Sequence, residues 1–176
     1  MNNRVLEVRD LKMHYIIKGG SVKAVDGVTF TLDKGEALGV VGESGCGKTS
    51  LAMAILRLLT ENASFVSGNI FFSKDGNKTD LVRLGEEEMR RYRWKEISMI
   101  FQAAMNSLNP VCRVGDQISE AMKTHFPSIS KEEISERISH LFRLVGLDPA
   151  RMNCYPHEYS GGMKQRAIIA MALVCD

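Results

Sequence analysis

The residues best suited to chemistry in this sequence lie together between positions 42 and 49, as Gly42-Glu43-Ser44-Gly45-Cys46-Gly47-Lys48-Thr49. The pattern G-x-x-x-x-G-K-[ST] suits phosphate groups for reasons of backbone geometry. Its glycines let successive N–H groups turn inward around an anion, and a following helix adds the positive end of its dipole. In that arrangement Lys48 reaches the β- and γ-phosphates of a nucleotide as a point charge, and the Thr49 hydroxyl is a Mg²⁺ ligand. With glycine near 7% of residues, the four specified positions should coincide in about one chain of this length in a hundred or fewer. An ordinary glycine-rich turn is the plain alternative, and the strand before the loop and helix after it argue against that. Cys46 carries an expectation of its own. Alkylating reagents should modify it and bound nucleotide should protect it, unless it is simply a small space-filling residue.

A second cluster is Tyr159-Ser160-Gly161-Gly162-Met163-Lys164-Gln165-Arg166. Ser160 and the two glycines stand where a helix begins, offering a hydroxyl and bare N–H groups to an anion. Taken alone, a simple helix cap explains them equally well.

The elements that must position these residues are legible as hydrophobic patterns. Val5 to Leu11 and Val28 to Leu32 alternate as strands do, with Lys18-Gly19-Gly20-Ser21 between them as a loop. Ala37-Leu38-Gly39-Val40-Val41 is a compact apolar run of the kind found in buried parallel strands, and it leads into the glycine loop. Helical spacing then places Leu51, Ile55, Leu58 and Leu59 on a helix over 50–59. Gly68 to Ser73 reads as a strand, and the turn Lys74-Asp75-Gly76-Asn77 predicts a hairpin partner around Asp80 to Leu84. Glu86 to Arg93 begins acidic and ends basic, in the order that suits a helix dipole. Tyr92 and Trp94 among Arg90, Arg91, Arg93 and Lys95 could be read as a nucleic-acid patch, but the acidic first turn nearly cancels it. Ile97 to Phe101 is predicted as a core strand ending at Gln102. Ser130 with Glu133 forms a capping box, after which Ile134, Ile138, Leu141, Phe142 and Val145 share a face until Gly146. A last helix, 160–174, is nearly all apolar in its second half.

Composition narrows the function classes. The 176 residues suit one domain, with 44% hydrophobic and 25% charged side chains. A net charge of +2, from 23 basic against 21 acidic residues, gives no polyelectrolyte field, so no nucleic-acid partner is expected. Cys46, Cys112, Cys154 and Cys175 form no C-x-x-C pair, which suits a reducing cytosol. Charged residues interrupt the N-terminus, so no signal peptide is read there. The longest apolar run, Ala167 to Cys175, falls well short of the roughly 18–20 residues that a spanning helix needs.

The two clusters together resemble the ABC transporter ATP-binding subunits, whose signature Leu-Ser-Gly-Gly-Gln is followed shortly by a Gln-Arg pair. The finer resemblance is to the ATPases of dipeptide, oligopeptide and nickel importers. It rests on Val22-Lys23-Ala24-Val25-Asp26-Gly27-Val28, on Gly42 to Thr49, on Ser107-Leu108-Asn109-Pro110 and on His157-Glu158-Tyr159-Ser160-Gly161-Gly162-Met163. It runs over essentially the whole chain. The resemblance implies an α/β fold, a P-loop NTPase core with an N-terminal antiparallel β subdomain, an inserted helical subdomain and an incomplete parallel sheet. Residues 1–102 would hold the β subdomain and P-loop core, 103–159 the helical subdomain and 160–176 the signature helix. It implies ATP and Mg²⁺ as cofactors. Nucleotide contacts would come from Tyr15 (stacked on adenine), Gly42, Glu43, Ser44, Gly45, Cys46, Gly47, Lys48, Thr49, Ser50, Ser160, Gly161 and Gly162. Thr49 and Gln102 would serve the metal, and Lys48 and Gln102 catalysis. The implied partners are a second ABC ATPase subunit, identical or homologous, in a head-to-tail dimer, and membrane-spanning permease subunits contacted through the helical subdomain. The implied location is cytoplasmic, peripheral on the inner face of the cell membrane.

Two departures stand out: Tyr159 where leucine is common, and Ala103-Ala104 where an acidic residue and proline are common. After Gly161 no apolar strand followed by Asp-Glu occurs, so the Walker B and switch regions are absent from the sequence. The expectation is a truncated ATPase that binds ATP without hydrolysing it efficiently and that leaves the 97–101 strand without a neighbour. Three alternatives remain: an ABC ATPase outside transport, a P-loop small-molecule kinase, which would leave Ser160-Gly161-Gly162 without a role, and a nucleotide-binding fragment without catalysis.

Overall fold

The computed structural model describes residues 3–102 and 107–175. The departure at Ala103-Ala104 lies outside them. The chain divides into two compact units, 1–89 and 90–176.

In the first unit, β1 (Arg4–Ile17) and β2 (Gly20–Asp33) form a long hairpin, and β3 (Ala63–Lys74) and β4 (Asn77–Asp80) a short one. The four make one antiparallel sheet in the order β2-β1-β3-β4. The strands at the N-terminus are longer than the alternation predicts, because pairing carries them through polar residues to a two-residue turn at Lys18-Gly19. The Asp75-Gly76 turn forms as expected, with both residues at positive φ (52° and 81°), the geometry a tight hairpin requires. Its second strand, however, is Asn77–Asp80, and Leu81–Arg83 continues as a 3-10 turn. The Asp80 carboxylate explains the stop: it accepts from Val82 N at 3.2 Å and caps that turn. Val8, Leu11, Met13, Ile70 and Phe72 bury one face of the sheet. The other face carries Glu7, whose carboxylate accepts from Lys78 and from Arg9, each at 2.6 Å. Both cations also lie over the Phe71 ring.

Helix α1 (Lys48–Ile55) starts two residues earlier and ends earlier than the 50–59 expectation. The run 37–41, predicted as a parallel strand, forms no strand, and Val41 is 95% exposed. A parallel strand exists only through hydrogen bonds to neighbours, and none of the described residues pairs with this run.

The second unit is helical. Helix α2 (Glu86–Tyr92) leads into it, followed by α3 (Val114–His125), α4 (Lys131–Leu144) and α5 (Gly161–Ala172). The capping box at the start of α4 is formed in both directions: Ser130 Oγ accepts from Glu133 N, and Glu133 Oε2 accepts from Ser130 N. Ile134, Ile138, Leu141 and Phe142 then enter a core shared with Val114, Ile118, Met122, Tyr159, Ala167 and Ile168. The predicted strand over 97–101 is a second correction. Only an isolated parallel bridge, Arg93 to Ile97, is present, and Ile100 and Phe101 are each 45% exposed. No helix among the described residues is long and apolar enough to cross a membrane.

Candidate functional site

The glycine loop meets the start of α1 through Gly47, which takes φ +98°. A Cβ there would sit 2.2 Å from the carbonyl oxygen of Ala24 in β2, so only glycine allows the loop to close against the sheet. Gly45 also takes positive φ, +83°. At the helix start Gly47 brings no side chain to cap the first turn, which leaves that work to whatever the loop binds.

Lys48 folds back over the loop it closes. Its Nζ donates to the carbonyl oxygens of Gly42 and Glu43, both at 2.7 Å, and lies 3.4 Å from Cys46 Sγ. Two of the ammonium's three donors are thus spent on good acceptors, and the third faces a weak one. Gly42 is constrained less firmly, since a Cβ there would stand 2.6 Å from Cys46 Sγ, a side-chain atom that can turn aside. Cys46 and Thr49 are exposed, and Lys48 is half-buried. These features fit a polyphosphate: a cation held at the loop mouth, an uncapped helix start and backbone that only glycine can adopt. The Thr49 hydroxyl fits a magnesium ion shared with such a phosphate.

Tyr15 comes to the same place by a route the sequence did not disclose. Its phenol oxygen lies 3.3 Å from Ser50 Oγ, so β1 and the first turn of α1 are linked through two hydroxyls. The cross-strand partner of Tyr15 on one side is Val22 and on the other Ala63. The structure therefore gathers Tyr15, Gly42, Glu43, Ser44, Gly45, Cys46, Gly47, Lys48, Thr49 and Ser50 within the first unit.

In the second unit Ser160 is the N-cap of α5, its Oγ accepting from Met163 N at 3.3 Å. Ser160, Gly161 and Gly162 are exposed. A Cβ on Gly162 would meet nothing within 4 Å. The fold itself does not demand glycine there, and the turn leaves room for close approach from outside the chain. Arg166 braces this turn: its guanidinium donates to the carbonyl of Gly146 at 2.6 Å and to that of Gly162 at 3.3 Å. Nothing in the spacing of Arg166 and Gly146 signals that bond. Tyr159 is buried, its hydroxyl donating to Arg151 O at 2.5 Å, and burial pushes its pKa up. The tyrosine is accommodated as a core residue with its polar end satisfied. Gln102 is exposed at the end of the 97–101 segment, which has only the Arg93–Ile97 bridge.

A family model described as ABC transporter matches residues 25–176. The oligopeptide transport ATP-binding protein OppD of Bacillus subtilis (strain 168) is 48% identical over 176 residues, covering 98% of this chain and 48% of that protein. The dipeptide transport ATP-binding protein DppD of the same strain is 46% identical, covering 98% of this chain and 51% of that protein. In fold, the chain is similar to the ATP-binding cassette MJ0796 in a dimeric, post-hydrolysis structure bound to ADP and Pi. The TM-score is 0.81 at 24% identity, covering 97% of this chain and 69% of that one. The chain spans about half the length of the curated relatives it matches.

Proposed function

Because the chain belongs to the ABC transporter family, we propose that it is the ATP-binding part of an importer ATPase that energises uptake of dipeptides, oligopeptides or nickel. The observation that carries this reading is the Lys48 ammonium, held over the loop by the carbonyls of Gly42 and Glu43 at an uncapped helix start. Names of relatives that transport peptides support the solute class.

In this reading the loop amides from Gly42 to Thr49 and the Lys48 ammonium bind the phosphates. The Thr49 hydroxyl would hold magnesium, and Tyr15 would support the base. Magnesium, when bound, neutralises charge on the β- and γ-phosphates. Ser160, Gly161 and Gly162 donate to the γ-phosphate of nucleotide held by a second ATPase subunit, identical or homologous, in a head-to-tail dimer. The exposed, unobstructed face of Gly162 suits that approach. Permease subunits would be contacted through the helical segment 103–159, with residues 1–102 as the nucleotide core and 160–176 as the signature helix. This puts the protein on the cytoplasmic face of the cell membrane.

A second reading, binding without efficient hydrolysis, is favoured by the runs 37–41 and 97–101, which form no strand and between them hold only the Arg93–Ile97 bridge. These segments deliver Gly42 and Gln102, and neither is pinned by a sheet. Phosphoryl transfer depends on positioning, so loosely held groups slow it. Calorimetric titration of the chain with Mg-ATP tests the common part of both readings, with one saturable site per chain expected and no heat of binding refuting them. Phosphate release measured on the same sample separates the two. Vesicles carrying the permease subunits, assayed for ATP-dependent peptide uptake, test the transport role.

A further inference from the structure

Helices α3 and α4 pack together over a shared core, and a cavity of about 240 Å³ lies between them and the 3-10 turn Pro149–Asn153. Drug-sized ligands fill roughly 300–1,000 Å³, so this cavity suits something smaller. Its shape follows from the packing. Gly115, in the first turn of α3, is buried, and a Cβ there would stand 2.8 Å from the carbonyl oxygen of Met152. Glycine thus lets the turn close one end of the cavity, and Val114 N fixes it there by donating to Cys154 O at 3.0 Å. Ile134 and Ile138 of α4, both buried, line the cavity together with Met152 of the turn. They give it an apolar wall backed by the core.

The charged groups around this wall are divided by sign. Asp116 and Lys123 both line the cavity from α3. Seven positions apart, they share a helix face and are separated by about 10 Å along the axis. Asp116 follows Gly115, at the end closed by the turn. Five residues, 126–130, join α3 to α4, so the end of α3 that carries Lys123 adjoins the start of α4, where Lys131 also lines the cavity. Among the described residues, the Asp116 carboxylate and the Lys123 and Lys131 ammonium groups have no ion-pair or hydrogen-bond partner. A carboxylate at one end and two ammonium groups at the other match a ligand that is cationic at one end and anionic at the other. Two extended residues reach about 7 Å, and a hydrogen bond of about 2.8 Å at each end brings the span to about 12–13 Å, within reach of flexible lysine stems. A single amino acid spans about 9 Å on the same count, short of the helix spacing. We propose that this cavity binds a dipeptide with free termini, its ammonium on Asp116, its carboxylate on Lys123 and Lys131, and an apolar side chain against Ile134, Ile138 and Met152. Such binding requires neither ATP nor transport, so it stands apart from the reading of the phosphate loop, although the ligand shares the chemistry of the solute class proposed above.

Calorimetric titration of the full chain with the dipeptide Ala-Leu tests it, beside N-acetyl-Ala-Leu, which lacks the ammonium, and Ala-Leu amide, which lacks the carboxylate. One saturable site is expected for Ala-Leu, with each blocked form weaker by at least about tenfold, the loss of one charge-assisted contact. Asp116→Asn should bind Ala-Leu at least about tenfold more weakly and no longer tell it from the N-acetyl form. Lys123→Gln combined with Lys131→Gln should likewise no longer tell it from the amide. A merely structural role for these side chains would lower the affinity for all three peptides alike. All three side chains are exposed, so the variants should keep the wild-type thermal midpoint. Should one of them fold poorly, the blocked peptides read the same contacts on the wild type. No binding of Ala-Leu by the wild type, equal binding of the blocked forms, or equal binding of free leucine overturns the proposal. Stronger binding of inorganic phosphate than of Ala-Leu also overturns it, because that marks an anion site alone.

Discussion

The carbonyl oxygen of Ala24 lies 2.2 Å from the point where a Cβ on Gly47 would stand. A backbone atom of the sheet cannot withdraw as a flexible side chain can, so the glycine before Lys48 is required by the fold as well as by any ligand. Gly47→Ala should therefore cost more than the roughly 1–2 kcal/mol of the left-handed backbone alone. Denaturant unfolding should show that loss, and ATP binding should fall with it.

Gly162 makes the opposite case. Open space surrounds its missing Cβ, and alanine is favoured over glycine in a helix by about 0.5–1 kcal/mol. Gly162→Ala should leave the unfolding midpoint unchanged or raise it. If the turn serves nucleotide held by a partner subunit, ATP-dependent dimerisation measured by analytical ultracentrifugation should weaken at least several-fold. Dimerisation equal to wild type would remove Gly162 from that role.

The Glu7 carboxylate is held down, from an ordinary value of 4.5 to about 2, first by the Lys78 hydrogen bond and then by that of Arg9. A carboxylate whose folded pKa is depressed contributes stability that is complete above its unfolded value and lost as pH falls through its folded one. The wild type should thus lose stability between about pH 4.5 and pH 2. Glu7→Gln should be less stable at neutral pH and flatter over that window, as read by urea midpoints at several pH values. Parallel curves for the two proteins would contradict this.

Cys46 is exposed beside Lys48, whereas Cys175 is buried. Alkylation by a maleimide should reach Cys46 first, and Mg-ATP should slow it by at least about tenfold if the loop closes on phosphate. Mass spectrometry of the peptide holding Cys46 reads the rate directly. Equal rates with and without nucleotide would argue against a phosphate at that loop.

How much of this was legible in the sequence depends on which physics each residue reports. The glycine loop, the Asp75-Gly76 turn and the Ser130–Glu133 capping box were readable because their geometry is local and only certain residue types permit it. The runs 37–41 and 97–101 read as strands in the sequence yet form none, because apolar character signals a preference for burial, not the presence of a pairing partner. Strand pairing is a property of two segments, and alternation in one cannot report the other. For the same reason β1 and β2 extend beyond their alternating stretches, carried by a register that only the pair defines. The resemblance points to Tyr15, but its hydroxyl contact with Ser50 is a tertiary fact. Arg166 on Gly146 and Trp94 on Met171 are side chain to carbonyl bonds across 20 and 77 positions, and no motif spacing encodes them.

The account turns on the ammonium held between the Gly42 and Glu43 carbonyls, and one titration reaches it. Binding of a fluorescent ATP analogue, with magnesium, should be compared between the wild-type chain and Lys48→Ala, with circular dichroism confirming that both are folded. The account predicts saturable binding by the wild type and a loss of at least about a hundredfold in the variant, as expected when a charge-assisted phosphate contact is removed. Equal affinity in the two folded proteins, or none in the wild type, would contradict it.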